Sequence, residues 1–272
     1  RLDRRGSMFQ FYMPTKVIIG RECVVKEGHL LKGIGNKALI VTGRYSAKKN
    51  GALEDVIKAL EEQNMAYCVF DEVEENPSLE TVEKAKNFGV AQGVDFVIGI
   101  GGGSPIDASK AIAVMLKHPE LTGSTLIGGS LSSVPVIAVP TTAGTGTEVT
   151  QYAIVTDHQA KTKKNIGHTV FPQIAFVDAY YMKDMPKTIT IHTAVDAMSH
   201  LVESYLSVKS NAVSEGFVVE GLKEWGKCIP QLLAGEFTLE GRECLMMASM
   251  LAGMAIAQTG TSLPHGMGYA LT

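Results

Sequence analysis

Asp95-Phe96-Val97-Ile98-Gly99-Ile100-Gly101-Gly102-Gly103-Ser104-Pro105 is the stretch on which the fold of this chain turns. Its first half is a short apolar run rich in β-branched residues, which suits a buried strand. Its second half is a glycine triplet, and an apolar helical pattern takes over near Ile106. A strand that passes through glycines straight into a helix opens a βα unit. In such a turn the backbone N–H groups converge above the strand end, and the helix N-terminus adds partial positive charge, so a phosphate is favoured there. Glycine suits the turn because a Cβ would obstruct both the backbone path and a ligand. Taken alone, the triplet also reads as a tight turn with no ligand.

The flanking chain repeats the unit. KALIVTG (37–43) reads as a buried strand ending in a glycine turn, and 52–64 places Leu53, Val56, Ile57 and Leu60 on one helical face. AYCVFDEV (66–73) is a second strand, and 78–93 a helix with Ser78 as N-cap and Gly93 closing it. PVIAVPTTAG (135–144) and QIAFVDAY (173–180) add further buried strands. Strands alternating with helices predict a parallel sheet with helices on both faces. After Pro186 the strand-like runs give way to 191–209, 212–234 and 239–260, rich in Ala, Leu, Met and Glu. The predicted architecture is therefore an α/β domain (8–185), which its phosphate-favouring glycine turn marks as nucleotide-binding, followed by an all-helical domain (186–272).

Bulk properties exclude several function classes. A net charge of -3 and a pI near 6.2 lack the basic excess of a nucleic-acid binder. No apolar run approaches the roughly 18 residues that span a bilayer, so no membrane role is expected. RLDRRGS before Met8 has no apolar secretory core and is set aside as an appended segment. Cys23, Cys68, Cys228 and Cys244 are scattered without a CxxC pair, the usage expected of reduced thiols in a cytoplasmic protein.

A second loop strengthens the phosphate reading. Pro140-Thr141-Thr142-Ala143-Gly144-Thr145-Gly146-Thr147-Glu148 also follows a strand, and its threonines and glycines offer donors without fixed charge. Two such loops at the carboxyl ends of strands in one doubly wound sheet favour a dinucleotide over a solvated connection. No GxGxxG follows the first strand, so this is not the ordinary fingerprint.

Downstream, Asp196 and His200 stand four apart in a helical context, on one face, and His265 follows the last helix. Imidazole with carboxylate suits iron(II), zinc or nickel, although an Asp–His couple at this spacing also arises as a paired surface couple. His192 is an alternative ligand that more naturally faces solvent. Met246, Met247, Met250 and Met254 form a stripe that reads as core, with a pocket for a short aliphatic chain as the alternative.

GGGSPIDASKA (101–111), PTTAGTGTEVT (140–150) and AVDAMSHLVESY (194–205) together resemble, in order and separation, the signatures of the iron-containing alcohol dehydrogenases. The resemblance runs from about Phe9 to Thr272 and implies a dehydroquinate-synthase-like fold with the active site between the two domains. It implies a metal held by Asp196, His200 and His265, and a further histidine beyond the position of Thr272, so the helical domain and its site are expected to be incomplete here. Where many relatives carry another histidine, four residues after the third ligand, this chain has Tyr269.

On the cofactor side the resemblance implies Gly101, Gly102, Gly103, Ser104 and Asp107 at the pyrophosphate and its loop. It puts Thr141, Thr142, Thr145 and Thr147 near the ribose and nicotinamide, Asn76 near the adenosine ribose, and Lys164 closing on the cofactor. The turn Thr42-Gly43-Arg44-Tyr45-Ser46 has no acid to repel a 2′-phosphate, so NADP is expected over NAD. The expected activity is hydride transfer between a small alcohol or aldehyde and NAD(P), with Fe2+ (or Zn2+ or Ni2+), in a homo-oligomer. The alternatives are a dehydroquinate-synthase-like lyase, for which the helical half offers no cluster of basic residues, and dinucleotide binding without turnover.

Overall fold

The computed structural model describes residues 8–261. Eight strands form in chain order: β1 (Lys16–Ile19), β2 (Lys37–Thr42), β3 (Ala66–Phe70), β4 (Phe96–Gly101), β5 (Val136–Pro140), β6 (Ile154–Asp157), β7 (Thr162–Asn165) and β8 (Ile174–Val177). Six of them make one sheet in the order β1-β8-β5-β4-β2-β3, every pair parallel, while β6 and β7 form an antiparallel hairpin. The helices are α1 (Cys23–Lys26), α2 (Ser46–Lys49), α3 (Ala52–Glu62), α4 (Leu79–Gln92), α5 (Gly103–Lys117), α6 (Lys187–Leu206), α7 (Ala212–Lys227), α8 (Ile229–Ala234) and α9 (Leu239–Thr259).

The sheet is apolar on both faces because alternate residues of a strand point opposite ways. Leu39, Val41 and Val97 pack with Val82 of α4 and Ile112 of α5, whereas Ala38, Ile40 and Ile98 pack with Val24 of α1 and Val56 of α3. Helix α4 starts and stops where its caps direct: the Ser78 side chain accepts the Thr81 N–H, and Gly93 adopts φ 68.

The strand order places a topological switch point between β2 and β4. From β2 the chain moves outward to β3 and then returns to lay β4 on the other side of β2. Register aligns Thr42 with Ile100 and Gly101 with Pro140, so the carboxyl ends of β2, β4 and β5 form one edge, where open α/β sheets bind ligands.

Beyond Met182 all described elements are helical, and a shared core ties them to the sheet half. Ile106, Ala138, Ala175 and Val177 pack with Ala194, Leu245, Met246 and Met250. The approach is closest where Gly146 meets α9: a Cβ on Gly146 would lie 2.7 Å from the Gly253 Cα. Met246 and Met250 are core, as their spacing suggested, with Met247 and Met254 packed against the same cluster.

Three differences from the sequence expectations have physical causes. The helix expected over 212–234 is two, α7 and α8, because Pro230 has no N–H to continue a helix and sits at the start of α8. Helix α6 begins four residues before the expected Ile191, directly after Pro186. Strand β1 and the β6–β7 hairpin escape an apolar-run reading because β1 has only three consecutive apolar residues, Val17 to Ile19, and β7 is Thr-Lys-Lys-Asn.

Candidate active site

The β4–α5 turn is shaped by steric demands that favour glycine, most strictly at Gly101. Gly101 has φ 148, and a Cβ there would lie 2.6 Å from Pro105 Cγ. At Gly102 it would lie 3.1 Å from Thr142 Oγ1, and at Gly103 2.7 Å from Thr145 Cγ2. The glycine and threonine loops therefore touch, and the triplet serves that contact as well as the turn. A hydrogen bond from Thr141 N–H to the Gly101 carbonyl (2.8 Å) joins the loops along their backbones.

Helix α5 begins at Gly103 with Gly102 as N-cap, no side chain capping it and no acidic residue in its first turn. A fifteen-residue helix left so presents donor N–H groups and partial positive charge, which is a cradle for an anion. This fits the pyrophosphate of a dinucleotide. Beside it, Ser104 Oγ accepts the Asn76 N–H (3.0 Å), and the Asn76 carbonyl accepts Thr156 Oγ1 (3.1 Å). Asn76 holds φ 56, a left-handed conformation that asparagine tolerates better than most residues.

These groups line a cleft of about 530 Å³ that runs from Glu75 and Asn76, past Gly103, Ser104, Thr145 and Thr147, to Asp196, His200, Gly260 and Thr261. Thus the structure brings Asn76, Gly103, Ser104, Asp107, Thr145, Thr147, Asp196 and His200 to one cavity. Gly101, Gly102, Thr141 and Thr142 lie behind the lining, in the loop–loop contact. Gly43 stands apart at the end of β2, where a Cβ would meet the Val73 carbonyl at 3.3 Å. His265 lies outside the described residues, as does Tyr269.

Two expected cofactor contacts look different in three dimensions. The Lys164 ammonium pairs with Asp157 (2.8 Å) across the hairpin, and its neighbour Lys163 lines the cleft. Adjacent residues of a strand point to opposite sides, which separates the two lysines. Asp107 is used by the protein itself: its carboxylate accepts Thr147 Oγ1 (2.6 Å) and the Ile154 N–H (3.0 Å), and burial holds its pKa above the usual range. It latches α5 to the threonine loop and the hairpin.

At the far end Asp196 and His200 share one face of α6, with Oδ1 and Nε2 3.8 Å apart. His200 is 5% exposed, whereas His192, on the preceding turns, is exposed. One carboxylate oxygen and one imidazole nitrogen at the cleft wall match the donor preference of iron(II), zinc or nickel. Among the described residues no third His, Cys, Asp or Glu joins them in a metal-binding group.

Sequence reasoning passed over Lys110, Glu148, Thr150 and Tyr152. Lys110 is fully buried, and burial pushes its pKa down to about 8. Glu148 is buried with Oε1 lacking a hydrogen-bond partner, and burial pushes its carboxyl up to about 7. Tyr152 lines the cleft and donates to the Ile256 carbonyl (3.3 Å). The available signal was Asp107 and Lys110, the two ionisable residues inside the mainly apolar run Ile106–Met115, since a buried helix carries ionisable groups only when they are paired.

Comparison with known proteins agrees with this geometry. The family model for iron-containing alcohol dehydrogenase matches residues 14–179, and the model for the C-terminal region of the same family matches residues 190–272. The chain is 32% identical to the NAD-dependent methanol dehydrogenase of Bacillus methanolicus over 96% of its length and 70% of that protein. It is 29% identical to the NADPH-dependent butanol dehydrogenase of Clostridium saccharobutylicum, over 96% of this chain and 68% of that one. An iron-containing alcohol dehydrogenase of Thermotoga maritima superposes with a TM-score of 0.91 at 44% identity, covering 97% of this chain and 73% of that one. A doubly wound sheet with an anion cradle at its switch point, a cleft reaching a helical Asp–His pair, and matching family models across both halves carry one conclusion: the chain belongs to the iron-containing alcohol dehydrogenase family of NAD(P)-dependent oxidoreductases.

Proposed function

We propose that the cleft binds a nicotinamide dinucleotide along its sheet side and a small alcohol or aldehyde at its helical end. The observation that carries this reading is the continuity of one cavity from the uncapped N-terminus of α5 to Asp196 and His200. In this reading the N–H groups of Gly102, Gly103 and Ser104 receive the pyrophosphate, with Gly101 and Asp107 shaping the loop. Thr141, Thr142, Thr145 and Thr147 orient the ribose and nicotinamide, Asn76 and Gly43 border the adenosine end, and Lys163 or Lys164 closes the outer rim. Asp196, His200 and His265 are the proposed metal ligands. An iron(II) ion held there, or zinc or nickel, would polarise the substrate oxygen as a Lewis acid. The dinucleotide supplies the hydride chemistry, and the protein supplies placement.

The proposed division into domains at 185/186 rests on the change from mixed to purely helical elements and on the gap between the two family matches, 179 to 190. A preference for NADP is supported by the β2 turn, where Arg44 is exposed and Lys48 pairs with Asp71 at 2.6 Å. Both cations act on Asp71, Lys48 more strongly, and hold its carboxyl below the usual range. No acid occupies the turn 42–46 to repel a 2′-phosphate. Relatives of both cofactor types exist, so the β2 turn, not the family, carries this preference. A cytoplasmic homo-oligomer acting on short alcohols is the matching biological proposal. Among the described residues no helix is long and apolar enough to cross a membrane.

The test is nicotinamide absorbance with butanol or propanediol, each with NADP and NAD and with iron(II) or zinc. It is run on this chain and on a version extended to the length of its relatives. Turnover with either alcohol supports the dehydrogenase; dinucleotide binding without turnover in both versions overturns it.

A further inference from the structure

The least expected group in the molecule is the Lys110 ammonium. It is fully buried on α5 and donates to the carbonyls of Thr147 (2.7 Å), Thr150 (2.8 Å) and Tyr152 (2.7 Å), and to Thr147 Oγ1 (2.8 Å). Thr150 Oγ1 lies within 3.4 Å. An ammonium has three protons, so these oxygens surround it with more acceptors than it can serve at once. All of them belong to 147–152, the segment that leaves the threonine loop and carries Thr147, Thr150 and Tyr152 to the cleft wall. The charges facing the ammonium are Asp107, on its own helix, and Glu148, from the threonine loop. Asp107, three residues earlier on the same helix, accepts the Thr147 hydroxyl of that segment. The segment has little regular structure of its own, only a short 3-10 turn at Thr147–Val149, so its carbonyls have few local N–H partners.

We propose that Lys110 is a positioning residue for the dinucleotide: by gathering the carbonyls of Thr147, Thr150 and Tyr152 it holds the threonine loop in its binding shape without touching the ligand. The inference rests on the reading of that loop as a cofactor site. It explains why a lysine, rather than an apolar residue, occupies the middle of a buried helix. A long flexible stem with a compact three-donor head can reach several carbonyls at once, whereas a planar guanidinium presents a fixed fork.

Amide hydrogen exchange and NAD(P)H fluorescence titration, on the wild-type chain, Lys110→Met and Lys110→Gln, test it. Methionine keeps the stem and removes every donor; glutamine keeps two N–H donors. In the wild type, dinucleotide should slow exchange across 141–152; no slowing there would refute the loop as a cofactor site, independently of Lys110. In Lys110→Met, exchange at 144–152 should quicken at least about tenfold and the dinucleotide Kd should rise at least about tenfold, with β2, β4 and α7 unchanged. Lys110→Gln should recover part of both losses. A loosened loop with unchanged Kd, or faster exchange spread evenly over the sheet, would overturn the proposal and leave Lys110 a general core group. If Lys110→Met does not fold, Lys110→Gln decides alone: loop-confined exchange with a raised Kd supports the proposal, and a wild-type Kd overturns it.

Discussion

The two ends of the cleft are built on different principles. At the sheet end the loops are tied to one another: the glycine loop bonds to the threonine loop, Asp107 and Lys110 bind that loop from the side, and Ser104 receives the Asn76 amide. At the helical end two side chains of one helix, Asp196 and His200, stand side by side as the proposed metal ligands of the described region. The surface around them differs too. Val195, Met198, Val202 and Leu206 of α6 are exposed, in contrast to the sealed faces of the sheet. A dinucleotide spreads its affinity over many backbone donors, so its site tolerates the loss of any one. A metal concentrates function in a few ligands, so each matters far more.

The sharpest way to break that contrast is His200→Ala. It should lower turnover by at least about a thousandfold, because the proposed metal would supply several kcal/mol of polarisation, while the dinucleotide Kd stays within about twofold. A matching loss of dinucleotide binding would show that the ends are not separable.

Gly103→Val probes the sheet end. Its Cβ would lie 2.7 Å from Thr145 Cγ2, so the loops must separate. Dinucleotide affinity should fall about tenfold and stability by roughly 1–3 kcal/mol, read by fluorescence titration and urea unfolding. Unchanged binding would show that the loop–loop contact is dispensable.

Glu148 gives a pH signature of the sealed region. Its folded pKa of about 7 lies above its unfolded value near 4.5, so between these the folded state holds the extra proton. Its contribution is therefore fully present below about 4.5 and is lost as pH rises towards about 7. Glu148→Gln should flatten stability over that window and gain on the order of 1–2 kcal/mol at pH above about 7, measured by urea midpoints across pH. A variant less stable than wild type at alkaline pH would mean that the ionised carboxylate is needed beside Lys110.

The smallest expected effect is at the β2 turn. Arg44→Ala should lower kcat/KM for NADP about three- to fivefold and leave NAD unchanged, since an exposed charge contributes little. Equal loss with both cofactors would remove Arg44 from 2′-phosphate recognition.

How much of this was legible depended on range. Strands β2, β4, β5 and β8 and the caps of α4 were readable because each is encoded by its own few residues: apolar runs, Ser78, Gly93. The Asp196–His200 pair was readable because helical spacing alone places both on one face. Motif position alone does not show that Lys163 lines the cleft while its neighbour Lys164 pairs with Asp157 across the hairpin. Lys110 shows another limit: its acceptors lie 37 to 42 residues away along the chain.

The sequence by itself determined the class of architecture and the family, and it located the two glycine- and threonine-rich loops and the Asp196–His200 spacing, because periodicity, caps and motif spacing are local properties of a chain. Only the tertiary structure decided that the glycines make room for threonines, that Asp107 serves the protein and Lys163 the cleft, and that a buried ammonium organises the loop between them. Those outcomes depend on which distant backbone polar groups are removed from water together, and a buried group takes whatever partner the packing brings within reach.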